Sequence, residues 1–393
     1  MTPPHNASRP PMSPIADKAL VFVTVDWFAL SHFQPILKLL RALCRDVVVV
    51  TRVTDRRADL ERLGVRVVDL DYRRDGMNPI REIATIRRIT RILRDERPDI
   101  VHLIAMKPVA LAGYACRMAG VKRLVVHMTG LGHLAISRSL IVRPVRGLVF
   151  SHLRRLTARP DTWLIVENPE DLAVLTAAGI RPGHRVSILP GAGVDPDVYT
   201  PAPAPAGDPP TVAYAGRMIH SKGVTDLVAA HDLLADRGIA LDVRLYGRLD
   251  DGNPEAISAA EIEAWTRRPH LTWLGHVDDV REIWRTAGIC VLPAREREGM
   301  PRALLEAAAC GRPLVVTNVP GCRHFVRDDI EGLIVPPADP PRLADALARL
   351  AGDPVLRQRM GMAARERIIE GFTETHVVEA VAEIYRRLLD GRP

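Results

Sequence analysis

The chain has 393 residues, 47% of them hydrophobic, 26% charged and 4% aromatic, with a formal net charge of +7. It is too long for one ordinary compact core and right for two domains of nearly two hundred residues, and its composition excludes a largely disordered chain. No apolar run approaches a bilayer span, and few aromatics with no recognisable nucleic-acid module speak against nucleic acid as the partner.

Residues 1–17 hold five prolines and no apolar run, which predicts a disordered tail rather than a signal peptide and hence a cytoplasmic protein. Five scattered cysteines, Cys44, Cys116, Cys290, Cys310 and Cys322, predict reduced, mostly buried thiols. Residues 18–25 (K-A-L-V-F-V-T-V) are a continuous apolar run rich in β-branched types, as in a buried parallel strand. Residues 26–32 (D-W-F-A-L-S-H) are read as the loop leading to a helix. Strands are expected at 47–51, 65–70, 99–103 and 124–128, and helices near 56–63 and at 109–119. Another helix carries Ile80, Ile83, Ile86, Ile89 and Ile92. This order is that of a doubly wound parallel sheet, which holds ligands at the carboxyl ends of its strands. By that rule Lys107 and residues 127–133 (H-M-T-G-L-G-H) face a crevice, where two glycines permit close backbone approach.

Charge is uneven. Residues 1–200 carry 30 Lys+Arg against 19 Asp+Glu, and the remainder 24 against 28. No acidic residue lies between Asp99 and Asp161, whereas Lys107, Arg117, Lys122, Arg123 and six further arginines do. Within residues 134–156 apolar side chains alternate with Arg138, Arg143, Arg146, Arg154 and Arg155. The segment is either a surface helix with its arginines in water or an interfacial stretch whose arginines meet anionic lipid phosphates. Pro144 and Gly147 argue against a single unbroken helix.

A strand at 163–166 runs into N-P-E-D-L, where Asn168 caps a helix and Pro169 takes its first turn. Residues 200–210 (T-P-A-P-A-P-A-G-D-P-P) read as a linker. The expected division is a first domain over 18–200, a linker at 201–210, a second domain over 211–372, and a last helix over 373–393. The second domain opens on a strand ending at Gly216, with Arg217 and Lys222 across the next loop and a helix starting near Gly223. Two cations beside a helix start suit a diphosphate. After the strand 289–292 comes E-G-M-P-R-A-L-L-E, which sets Glu298 in a loop and Glu306 roughly one and a half turns into a helix. Carboxylates accept from sugar or ribose hydroxyls, and amides at a helix start hold anionic oxygen.

The run from Glu298 to Thr317, with G-R-M-I-H-S-K-G before it and N-V-P-G-C-R-H-F-V and E-G-L-I-V-P-P after it, resembles the donor-nucleotide motif of the retaining glycosyltransferases of family 4. The T-G-L-G segment is similar to that of the PglA-like transferases, which extend polyprenyl-diphosphate-linked sugars. The resemblance implies an α/β protein of GT-B fold, two doubly wound Rossmann-like domains facing across a cleft, with the last helix crossing back to the first domain. It implies that Gly216, Arg217, Lys222, His276, Glu298, Gly299, Met300, Pro301, Leu305 and Glu306 line the donor site. Arg217 and Lys222 would neutralise the leaving diphosphate, Glu298 would hold the sugar with the amides of Gly299 and Met300, and Glu306 would accept from the ribose. Lys107, Thr129 and Gly130 would meet the acceptor. Thr129 stands where many family members have a histidine, and His127, two residues earlier on the same side of the strand, could substitute.

The expected activity is therefore retaining transfer of an N-acetylhexosamine or hexose from a UDP-sugar to a polyprenyl-diphosphate-linked saccharide in bacterial surface glycan assembly. The enzyme would sit on the anionic inner face of the cell membrane and need no cofactor and no metal, Arg217 and Lys222 taking the place of a divalent ion. A GT-B sugar-nucleotide epimerase, a family 4 transferase with a soluble acceptor and a non-catalytic membrane-surface module are the alternatives.

Overall fold

The computed structural model describes residues 14–71, 79–132, 142–203, 209–250 and 252–390. Among these, the first half builds β1 (Ala16–Val25), β2 (Cys44–Arg52), β3 (Arg66–Asp69), β4 (Ile100–Ile104), β5 (Arg123–Met128), β6 (Thr162–Val166) and β7 (Val186–Ile188). Its helices are α1 (Asp26–Leu43), α2 (Arg57–Glu61), α3 (Pro79–Glu96), α4 (Met106–Ala119), α5 (Val142–Thr157) and α6 (Pro169–Ala177). All seven strands are parallel, in the order β3-β2-β1-β4-β5-β6-β7. Buried on both faces by helices, β1, β2, β4, β5 and β6 take the near-continuous apolar runs such sheets require.

The second half repeats the plan with β8 (Thr211–Ala215), β9 (Asp242–Tyr246), β10 (Leu271–Gly275), β11 (Ile289–Leu292), β12 (Leu314–Thr317) and β13 (Gly332–Val335). The helices are α7 (Val224–Asp236), α8 (Ala259–Thr266), α9 (Val280–Thr286), α10 (Arg302–Ala309), α11 (Pro320–Phe325), α12 (Pro340–Gly352), α13 (Pro354–Gly371) and α14 (Glu374–Asp390). The parallel order is β10-β9-β8-β11-β12-β13. Strand order reverses between β1 and β4 in one sheet and between β8 and β11 in the other. Loops diverge at these points and leave a crevice for ligand.

The expected loop at 26–32 is not a loop. The chain turns directly from β1 into α1, because the buried Asp26 carboxylate supplies the polar contacts that a turn would otherwise provide. It accepts from the Trp27 amide (2.8 Å), the Thr54 hydroxyl and amide (both 2.7 Å) and the Arg56 amide (3.0 Å). Burial works to raise its pKa, but the Thr54, Arg56 and Trp27 donors outweigh it and hold the carboxyl below its ordinary value. Residues 142–157, the described part of the segment expected to be interrupted at Pro144 and Gly147, form one helix, and residues 134–141 lie outside the described residues. Pro144 falls in its first turn, where no intrahelical partner for the missing N–H is needed.

The chain passes between the domains twice, and the two passages run side by side. Val194 donates to the Phe372 carbonyl (3.1 Å) and accepts from the Glu374 amide (3.0 Å). Beyond this hinge, α14 lies against the first domain. Its Val377, Val381, Ile384, Tyr385 and Leu388 complete the core that β1, β2 and α1 form with Phe33, Leu37, Val47 and Val49. The Tyr385 hydroxyl bonds His102 Nδ1 at 2.6 Å, and Arg123 Nε donates to the Leu388 carbonyl at 2.8 Å. Among the described residues no helix is long and apolar enough to cross a membrane, and all five cysteines are buried free thiols.

Because the Asp26 carboxyl is more acidic folded than unfolded, its stabilisation is complete above the ordinary value of 3.8 and is lost as pH falls through its lower folded value. Asp26→Ala is expected to cost about 3 kcal/mol at pH 7. Urea denaturation should show this gap to the wild type narrowing below about pH 4.

Candidate active site

The loop after β8 and the loop after β11 flank the second switch point, and both supply charge. Lys222 ends a 3₁₀ turn, His220–Lys222, and Gly223 follows at φ +72°. A Cβ at Gly223 would lie 1.8 Å from the Pro293 carbonyl oxygen, so only glycine lets the two loops touch. Arg295 reinforces the junction by chelating Asp226 through Nε (2.8 Å) and Nη2 (2.5 Å). The result is a direct bond of 2.6 Å between Lys222 Nζ and Glu298 Oε1, with the two side chains 17% and 18% exposed. Arg217, on the outer side of the same loop, is 3.3 Å from Asp250 and 44% exposed.

Pro301 caps α10 in extended backbone, and Arg302 opens the helix. Glu306 is buried one turn on, where its Oε1 accepts from Arg302 Nε (2.8 Å) and the Tyr199 hydroxyl (2.9 Å). Burial, then the Glu306 charge, pushes the Tyr199 hydroxyl well above its ordinary range. Arg302 also reaches Glu374 at the start of α14, 3.5 Å away. Leu305 was expected at the donor, but it is fully buried in the second core, because α10 turns that face toward β11 and β12. His276 follows β10, partly exposed and 3.4 Å from Asp278, and burial followed by Arg248 holds its imidazole below the ordinary range.

The first domain closes on this site through backbone. Gly130 (φ +113°) lies so near Gly299 that a Cβ on it would be 3.1 Å from the Gly299 nitrogen, and a Cβ on Gly299 would be 2.6 Å from the Thr129 carbonyl oxygen. The Thr129–Gly130 backbone thus lies against Glu298 and Gly299. Lys107, at the start of α4, is bound to Glu82 at 3.1 Å. The Met300 amide, expected to be open to the donor, already donates to Glu167 Oε2 at 2.8 Å. Arg143, Arg154 and Arg155 are exposed on α5 and Arg146 is half-buried; Arg138 lies outside the described residues.

His127 is corrected outright. It points into the core rather than the crevice, with no exposed surface, edge-on to Phe33 (5.4 Å) and stacked on His102 (5.5 Å). Burial pushes its pKa down to about 3, so the ring is neutral. The histidine that meets the site is His32, on the first turns of α1. It is half-buried, its Nδ1 lies 2.7 Å from the Ser31 hydroxyl, and burial with the charges of Arg302 and Lys222 lowers its pKa.

The site expected from sequence lacks His32, Tyr199, Arg302 and Glu167, and Asn168 is marked there only as a helix cap. The four-residue spacing of Arg302 and Glu306 was a readable helix pair. Glu167 follows a strand at its carboxyl end, where the same rule that placed Lys107 would have placed it.

Residues 18–159 match the protein-family model described as glycosyl transferase 4-like, and residues 209–353 match that described as glycosyl transferases group 1. Over 371 residues the chain is 22% identical to the N,N'-diacetylbacillosaminyl-diphospho-undecaprenol alpha-1,3-N-acetylgalactosaminyltransferase of Campylobacter jejuni, covering 91% of this chain and 96% of that one. It is 25% identical over 320 residues to the UDP-Gal:alpha-D-GlcNAc-diphosphoundecaprenol alpha-1,3-galactosyltransferase of Escherichia coli, covering 78% and 80%. Anabaena HepE, solved in complex with UDP and glucose, superposes with a TM-score of 0.76 at 16% identity, over 94% of this chain and 99% of that one. Two parallel sheets, with both halves matched in chain order, agree with these findings, and the chain belongs to the family 4 glycosyltransferases, hexosyltransferases of GT-B fold.

Proposed function

We propose that the protein moves an N-acetylhexosamine or hexose from a UDP-sugar, with retention, onto a polyprenyl-diphosphate-linked saccharide in bacterial surface glycan assembly. The observation that carries this reading is the Lys222–Glu298 contact of 2.6 Å. It sets a cation for the departing diphosphate and a carboxylate for sugar hydroxyls side by side at a switch point, against the Thr129–Gly130 backbone of the other domain. Lys222, with Arg217 behind it, neutralises charge as the diphosphate leaves, the main electrostatic demand of the step. Glu298 orients the sugar, and the Glu306 oxygen not engaged by Tyr199 and Arg302 accepts from the ribose. Thr129, Gly130 and Lys107 receive the acceptor. Attack from the face that the diphosphate leaves needs no protein nucleophile. The names of the Campylobacter and Escherichia relatives, both acting on undecaprenol diphosphate sugars, support a lipid-linked acceptor, and UDP in the HepE structure supports the nucleotide.

The membrane contact belongs on the side of the first domain where α3, α4 and α5 lie together. Leu148 (70% exposed), Tyr114 and Met118 project there among Arg117, Arg143, Arg154 and Arg155. The isoleucines of α3 contribute too. A three-residue repeat drifts around a helix of 3.6 residues per turn, so Ile89 is buried while Ile80 and Ile83 come out on the surface. Apolar side chains among arginines suit an anionic lipid surface.

Nucleotide release by the purified protein should be measured against a panel of nucleotide sugars, with and without bacterial lipid-linked acceptor, with chelator throughout. Release from a UDP-sugar only when lipid is present is the expected result. Donor conversion without nucleotide loss would favour an epimerase, and silence in chelator that metal restores would reassign the charge-neutralising role of Lys222. Lys222→Ala should lower kcat by about 10² to 10³.

Function should also divide by face. Glu306→Ala is expected to weaken UDP binding by about 10- to 100-fold and leave sedimentation with anionic vesicles unchanged. Arg143→Glu with Arg146→Glu should do the reverse.

A further inference from the structure

Glu167 directly follows β6 at the crevice, 5% exposed, and the proposed reaction gives it no part. Its Oε2 accepts the Met300 amide at 2.8 Å, and a Cβ on Gly299 would lie 2.2 Å from that same oxygen. Its Oε1 faces His127 Nε2 at 3.9 Å, and neither nitrogen of His127 has a hydrogen-bond partner. Next in the chain, the fully buried Asn168 donates from Nδ2 to the carbonyls of Glu298 (3.4 Å) and Gly299 (3.3 Å). Two adjacent residues of the first domain therefore hold three backbone groups of the Glu298–Met300 loop.

The charges around Glu167 do not favour a carboxylate. Asp171 on α6 and Glu298 on the loop are like-charged neighbours. The nearby cations are engaged elsewhere, Arg297 with Asp171 at 2.7 Å and Arg323 on α11 with Glu170 at 3.0 Å. His127 on β5 is neutral. Burial, opposed by the Met300 amide and aided by Asp171 and Glu298, raises the Glu167 carboxyl to about 8.

Resting on the reading of this loop as the holder of the donor sugar, we infer that Glu167 is a positioning residue that ties the loop to the first domain, and that closing the crevice takes up one proton from solvent on it. Opening returns the carboxyl to water and the proton to solvent. The sign follows from linkage. The closed state binds the extra proton, so closure is strongest at low pH and weakens by up to about tenfold per pH unit until pH reaches about 8.

Dyes on Ala84→Cys in α3 and Ala264→Cys in α8, both exposed positions, report the distance between domains in the full chain, since the native cysteines are buried. Energy transfer without ligand, and UDP affinity by calorimetry, are followed from pH 6 to 9. In the wild type both should fall as pH rises. Glu167→Gln, which keeps an oxygen for the Met300 amide but cannot titrate, should show no fall in energy transfer and a UDP response reduced to that of the nucleotide itself. Glu167→Ala, which removes the acceptor as well as the titrating group, should bind UDP about tenfold more weakly than Glu167→Gln at every pH. A flat wild-type distance, or a response that persists in Glu167→Gln, overturns the inference. Should that variant not fold, infrared spectra of the wild type serve instead, and a protonated-carboxyl band that disappears near pH 8 is required. Failure of UDP to bind at any pH while the distance still follows pH would sink the donor reading and leave proton-linked closure standing.

Discussion

The structure depends on one backbone contact, the approach of Gly130 to Gly299 across the crevice. Gly299 is enclosed from three directions. Thr129 and Gly130 lie on one side, the Glu167 carboxyl on another, and on the third a Cβ at Gly321 of α11 would fall 1.9 Å from the Gly299 carbonyl oxygen. A loop so confined has little freedom of its own. Its conformation, and with it the direction in which Glu298 points, is set by the spacing of two domains whose covalent connections are the paired passages at Val194 and Thr373.

Charges in the crevice are neutralised in pairs before any ligand arrives. Lys222 has Glu298, Arg302 has Glu306 and Glu374, and Arg217 has Asp250. A partly buried cation without a partner would be expensive, and each pair removes that cost. A diphosphate entering such a site exchanges partners rather than filling a field of bare charge, and the carboxylates it releases become acceptors for hydroxyls. This suits a ligand that carries both anionic and hydroxyl groups.

Most of the fold was legible in the sequence, for a definite reason. Parallel strands buried on both faces must be runs of apolar, β-branched residues, so 47–51 and 289–292 announced themselves, and the cap at Asn168 is chemically marked. The misreadings share another cause. Asp26 works as a cap for the junction only because Thr54 and Arg56, from a distant loop, donate to it. His127 is buried only because Phe33 and His102, distant in the chain, pack against its ring. The residues of the site were readable one by one, since Lys222 and Glu298 each stand in a recognisable motif. That they bond each other across 76 positions, and that Glu167 has already taken the Met300 amide, are products of tertiary packing that no local pattern encodes.

The position of α14 also bears on how the molecule comes into being. One face of the first sheet is finished by residues from the far end of the chain, with Tyr385 bonded to His102 across 283 positions. During synthesis β1, α1 and β2 leave the ribosome early, yet the apolar surface that Val381, Ile384 and Leu388 cover stays open until the second domain has been made. Domains usually fold as units in the order they emerge. Here one core of the earlier-made half is complete within residues 20–180, while the other is finished only after the later-made half has emerged.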